Sequence, residues 1–150
     1  MKETADAMMK EAGVFPGSSA ACIAHRASGV TCWMAQGNFA AARTYLEQAV
    51  AFHDFERDRE LAFRFGQDLG VAARDYLALV LWAVGEVDQA RAMIDEAIAL
   101  AISTEHAPSL AHAYWHQAIL EFMRLDARSA KRAAESCLTL ARQRDLGLWL

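Results

Sequence analysis

The side chains with the most chemical potential are five histidines, three cysteines and one short polar run. His112 and His116 stand four residues apart. On a helix that spacing puts two imidazoles on one face, an arrangement metal sites use. No glutamate accompanies them in an HExxH pattern, and the sequence displays no third ligand. They therefore read as two helix-surface histidines. His25 and His106 are isolated and read the same way. Ser103, Thr104, Glu105 and His106 have the residue types of a nucleophilic triad. Triads converge in space and are seldom neighbours in sequence, so a cap or turn is expected there. Cys22, Cys32 and Cys137 show no CxxC spacing and lie in apolar helical contexts. Reactive thiols need an exposed, electropositive setting, so these are assigned to the core of a protein in a reducing cytosol. The glycines form neither GxGxxG nor GxxxxGK[ST], so no phosphate-cradling loop is expected. No acid, base, nucleophile and metal set converges. A non-enzymatic protein with no cofactor and no metal is the expectation.

The elements that carry these residues are helical. The chain of 150 residues fits one domain, 1–150, and is 55% hydrophobic, much of it alanine. Alanine is the strongest helix former and lets helices approach closely. The only prolines are Pro16 and Pro108. The net charge of −4 is interspersed, and the absence of a basic stripe argues against nucleic acid. The longest apolar run, Tyr76 to Gly85, is roughly half the ~20 residues that span a bilayer. The start, MKETADAMMKEAG, has no apolar signal core. A cytoplasmic protein without membrane contact is expected. Abundant alanine, and arginine in excess of lysine, fit a GC-rich bacterial genome.

An internal repeat organises the helices. Gly37-Asn38-Phe39-Ala40-Ala41-Ala42-Arg43 through Leu46-Glu47-Gln48-Ala49-Val50 recurs 48 residues later as Gly85-Glu86-Val87-Asp88-Gln89-Ala90-Arg91 through Ile94-Asp95-Glu96-Ala97-Ile98. A fainter copy follows 40 residues on, at Ala130-Lys131, Ala134-Glu135 and Cys137-Leu138. Glycine closes one helix in the left-handed conformation. The next helix puts Ala42, Leu46, Ala49 and Val50 on one face. The preceding helices align through His25, Ser28, Gly29 and Cys32, then Arg74, Leu77, Ala78 and Leu81, then Trp115, Ala118, Ile119 and Phe122. The spacing predicts helices over 20–36, 38–54, 70–84, 86–103, 108–124 and 126–144. These make repeats at about 20–54, 70–103 and 108–144. Residues 2–12 read as one more helix, with Ala5, Met8, Met9 and Ala12 on one side. Val14 to Ser19 is a loop. Residues 55–69 are an insertion with a solvated charged face and a short helix partly packed through Leu61, Phe63 and Phe65.

Here the chain resembles the tetratricopeptide-repeat family over residues 20–144. Trp115, Ala118, Ile119 and Phe122 match the first half of its pattern, and Ala42/Leu46 and Ala90/Ile94 the second. The spacings of 48 and 40 exceed the family's ~34, and the closing proline is missing. The stretches Ala24-His25-Arg26 to Leu46-Glu47-Gln48-Ala49 and Phe63-Arg64-Phe65-Gly66-Gln67-Asp68 to Leu81-Trp82 also resemble the C-terminal repeat regions of bacterial proteins. In those proteins a class III adenylate/guanylate cyclase domain is joined to an ATPase-like domain and helical repeats. The resemblance implies an all-α, α–α superhelix of about three helix pairs plus a partial N-terminal helix. The apolar ending Leu148-Trp149-Leu150 reads as the start of another helix and residues 2–12 as the second helix of a truncated repeat, so a fragment of a longer protein is expected. The first helix of each pair would line a concave groove. Its expected contact positions are Arg26, Trp33, Asp75, Trp82, His116 and Met123, with Val30, Leu79 and Leu120 between them. The implied function is a protein-interaction or regulatory module. Its partner would be a peptide, a protein segment or another domain of the parent chain. The alternative is a structural spacer that dimerises through exposed repeat ends.

Overall fold

The computed structural model of the chain describes residues 2–13 and 17–149, with the side chains of Lys2, Glu11 and Ala12 outside the description. The expected loop at Val14, Phe15 and Pro16, the side-chain face at Ala12, and Leu150 lie outside the described residues. Helix starts follow the polar residues that satisfy orphan N–H groups. Ser18 accepts from the Ala21 N–H and begins α2 (Ser19–Gln36). Asn38 accepts from the Ala41 N–H and begins α3 (Phe39–Phe52). Asp54, Asp68 and Asp126 do the same for α4 (Phe55–Asp58), α6 (Leu69–Ala83) and α9 (Ala127–Arg144). The remaining elements are α1 (Lys2–Ala12), α5 (Leu61–Phe65), α7 (Val87–Ser103), α8 (Ala107–Met123) and a 3-10 turn over Gly147–Trp149. No strand occurs among the described residues, and none of their helices is long and apolar enough to cross a membrane.

Three turns close in a similar way. The N–H of Asn38 reaches the Cys32 carbonyl at 2.9 Å, that of Glu86 the Leu81 carbonyl at 2.9 Å, and that of Asp126 the Glu121 carbonyl at 3.0 Å. The Glu86 and Asp126 bonds are the six-to-one Schellman closure, the Asn38 bond spans one residue more, and each has a left-handed residue before the donor. Gly37 (φ 62°), Gly85 (φ 90°) and Leu125 (φ 62°) fill that place.

Each turn doubles the chain back, so α2 packs on α3, α6 on α7 and α8 on α9. Neighbouring pairs meet through α3 with α6 and α7 with α8, while α6 also touches α2 and α8 directly. The contact of α1 with α2 places a further helix before the first pair. Helix α6 is therefore surrounded, and it is apolar almost all round: Leu69, Val71, Ala72, Ala73, Leu77, Ala78, Leu79, Val80 and Leu81 are buried. Leu46 and Ile94, the repeated aliphatics, are buried in one cluster with Leu77 to Leu81 and Leu120.

Two expectations about packing need correction. First, the insertion forms two short helices, and Phe63 and Phe65 are exposed, with Ala62 buried in their stead. Its charges are not all solvated. Asp58 is fully buried, paired with the Arg57 guanidinium at 2.7 Å and bonded by the Ser19 hydroxyl and the Asp54 N–H. Arg57 also donates to the Gly17 and Phe52 carbonyls, tying α4 to both ends of the first pair. Second, Trp115 and Phe122 of α8 face outward, with Phe122 72% exposed. Helices α6 and α7 meet α8 on its other side, through Ser109, His112, Ala113, His116 and Leu120. Helix α9 buries Ala133, Cys137 and Ala141, while Ala130 and Ala134 are half-buried.

Candidate functional site

The surroundings of α6 bring the sequence's polar residues together. Asp75 leaves α6 towards α8, where His112 and His116 project from successive turns of one face. All three are buried: Asp75 is 0%, His116 1% and His112 6% exposed. The surface reading of the two histidines is thus corrected, and the third donor the sequence did not display is Asp75, 37 positions before His112. Sequence spacing hides it, because only the packing of α6 on α8 sets it opposite the imidazoles.

His112 Nδ1 lies 2.6 Å from Asp75 Oδ2. His116 Nδ1 lies 3.8 Å from the same oxygen and 2.9 Å from the His112 carbonyl. A carbonyl only accepts, so His116 Nδ1 carries the proton and Nε2 the lone pair. That Nε2 is buried without a partner, and so is Asp75 Oδ1. Burial pushes the Asp75 carboxyl up to about 7, against the opposing charges of His116 and Arg74. Burial pushes His112 down to about 4, helped by the charge of Arg26. It also pushes His116 down to about 4, against the pull of Asp75. The contact between His112 and Asp75 is consequently a hydrogen bond of a neutral imidazole near pH 7, and not an ion pair. Aromatic rings box the cluster. Tyr76 and Trp115 meet His116 edge-on at 5.1 and 4.7 Å, and Trp149 meets His112 at 5.8 Å. His112 also lines an open cleft of about 410 Å³ with Gly66, Pro108, Leu146 and Trp149. Solvent thus reaches the edge of an otherwise buried cluster. Chemically, it offers two neutral imidazoles and one carboxyl as donors, all within 4.8 Å of one another.

The expected groove positions divide. Asp75, His116, Leu79 and Leu120 are interior, because α6 and α8 pack directly on each other there. They are packing positions and do not face a free surface. Arg26 and Val30 line a cleft of about 320 Å³ with Thr4 and Met8 of α1, so α1 lies over them. The Arg26 Nε is buried without a hydrogen-bond partner. Trp33, Trp82 and Met123 are half-buried and pack on the central cluster. Trp33 meets Tyr76 at 6.2 Å.

Other candidates resolve as local structure. The Ser103 and Thr104 hydroxyls return to the Leu100 and Ala101 carbonyls, the cap role expected of them. His106 is buried, not on the surface, and its Nδ1 is 2.8 Å from the Ser109 hydroxyl. That hydroxyl accepts from the Asp68 N–H, joining α8 to the start of α6. Cys22 and Cys137 are buried and donate to the Ala49 and Ala111 carbonyls, and Cys32 is buried in the central cluster. Burial pushes the Cys22 thiol up to about 11, the opposite of an activated nucleophile. Comparison with protein-family models, with curated proteins and with solved structures returned no match.

Proposed function

We propose that this chain is a non-catalytic interaction module, a tetratricopeptide-like α–α superhelix of three helix pairs. The observation that carries the reading is the direct contact of α2 with α6 and of α6 with α8. Curvature of a helix-pair stack follows when one layer is tighter than the other, and the tighter layer lines the concave side. The repeated turn closures at Gly37, Gly85 and Leu125 support the same unit. Trp33, Trp82 and Met123 are large side chains at one register position of the three first helices. They are half-buried, which leaves each with surface for a partner. Tryptophan and arginine are the usual energetic anchors of interfaces. The row fits a peptide or another domain of the parent chain. Set beside the resemblance to cyclase-associated repeats, the module is regulatory, in a bacterial cytosol where its buried thiols stay reduced.

The test compares partner capture from a lysate of the source cells by the wild type and by a Trp33→Ala/Trp82→Ala/Met123→Ala variant. Capture lost from a variant with unchanged circular dichroism supports the groove. Equal capture by both overturns it.

The second reading, a spacer stack that dimerises, rests on a different observation. Phe122, Leu125, Leu148 and Trp115 are exposed around the far side of α8. Terminal faces of repeat stacks are ordinarily polar, and apolar ones pack on something.

A further inference from the structure

We propose that Asp75, His112 and His116 bind a divalent transition-metal ion of the zinc class. Three observations carry this. His112 and His116 are an i, i+4 pair on α8, and Asp75 of α6 completes a set whose donor atoms lie within 4.8 Å of one another. A tetrahedral ion with bonds of ~2.0–2.1 Å holds its donors roughly 3.3 Å apart, so the set must draw together from its present spread to hold an ion. Next, the His116 tautomer is set by its Nδ1–H bond to the His112 carbonyl. Metal-binding histidines are held in this way, with the second nitrogen left as the ligand. Finally, that ligand nitrogen, His116 Nε2, and Asp75 Oδ1 are buried polar atoms without partners. Such atoms are costly in a buried interior, and a cation held among the three side chains would remove that cost for the atoms it takes as donors.

The donor chemistry selects the ion. Two imidazoles and one carboxylate suit zinc, cobalt, nickel or copper, whereas magnesium and calcium prefer oxygen alone. The low proton affinity of both imidazoles at neutral pH leaves their lone pairs available. His112 reaches the ion by leaving its bond to Asp75, and Asp75 binds as the carboxylate, so loading releases the carboxyl proton. One carboxylate against a divalent ion leaves a net positive charge, beside Arg26 and Arg74. A hydroxide or another anion is thus the expected fourth ligand, arriving through the cleft beside Trp149.

The test is titration of chelator-stripped protein with Co²⁺, read by visible ligand-field absorption and by quenching of Trp115 and Trp149 fluorescence. The expected result is saturation at one ion per chain, displacement of Co²⁺ by Zn²⁺, and a marked loss of affinity in His116→Ala, which removes a direct ligand. His25→Ala serves as a control and keeps the affinity. Absence of saturable binding, or equal affinity in a folded His116→Ala, overturns the site. Should that variant not fold, nitrogen-15 spectra of the wild type decide. A Zn²⁺-induced shift of His116 Nε2 supports the site, and an unchanged resonance overturns it.

Discussion

Single residues here are governed by what lies within 4 Å of them. Gly29 sits inside α2, where alanine would ordinarily gain roughly 0.5–1 kcal/mol over glycine. A Cβ at Gly29 would stand 2.6 Å from Leu46 Cγ and 3.2 Å from the Ala42 carbonyl. Crowding outweighs the helix gain, because the carbonyl is backbone and Leu46 is fully buried. Gly29→Ala is expected to lower stability by about 1–3 kcal/mol in urea unfolding. The buried Asp-His-His cluster makes a second prediction. The raised pKa of Asp75 contributes stability below its ordinary value, and this is lost as the pH rises through about 7. The lowered pKa values of His112 and His116 contribute stability above their ordinary value, lost as the pH falls towards about 4. Between about pH 6.5 and 4 the unfolded chain thus holds two extra histidine protons, and the folded chain one extra on Asp75. The net effect is destabilisation on acidification, at up to ~1.4 kcal/mol per pH unit. His25, His53 and His106, also lowered by burial, act in the same direction. A His112→Gln/His116→Gln variant should show a visibly shallower fall of the urea midpoint between pH 6.5 and 4.5. An unchanged slope would mean that the cluster does not titrate as its burial dictates.

At the scale of elements, the turn between α8 and α9 differs from its two counterparts. Gly37 and Gly85 adopt positive φ at no steric cost, whereas Leu125 does so as an 89%-exposed leucine. A left-handed conformation costs a residue with a Cβ roughly 1–2 kcal/mol. Leu125→Gly is therefore expected to raise stability by about 1 kcal/mol, seen as a higher urea midpoint with an unchanged slope. A loss of stability would show that the leucine makes contacts outweighing its strain. The same residue explains why the third repeat was faint in the sequence: the glycine that marks the other two turns is absent, although the hydrogen bonds that close the turn are kept. Helix positions were legible to within one or two residues because alanine, the N-terminal cap residues and Pro108 are local signals.

At the scale of the whole molecule, the two ends of the stack are unlike. One end is covered by α1, whose Ala5 is buried and whose Met9 packs on Ala21 and Ala24 of α2. The other presents Trp115, Phe122, Leu125 and Leu148. If copies associate through that end, light scattering over a hundredfold dilution shows a concentration-dependent mass. A Phe122→Ser/Leu148→Ser variant should then stay monomeric with stability unchanged to within about 0.5 kcal/mol per site, as for exposed positions generally. A monomeric wild type throughout would remove the dimerisation reading and leave the groove.

The all-helical class, the paired helices and their boundaries were written in the sequence, since each depends on residues within a turn or two of one another. The burial of Leu46 and Ile94 was likewise legible from their recurrence. Which face of α8 is interior was not, because Trp115 and Phe122 have the residue types of a core and lie on the side that α6 and α7 leave uncovered. Nor was the meeting of Asp75 with His112 and His116, or the burial of Asp58 beside Arg57. Those pairings join different elements, and polar residues carry no periodic signal of burial. Only the stacking of α6 against α8, and of the 55–58 turn against α2, placed them out of water and opposite one another.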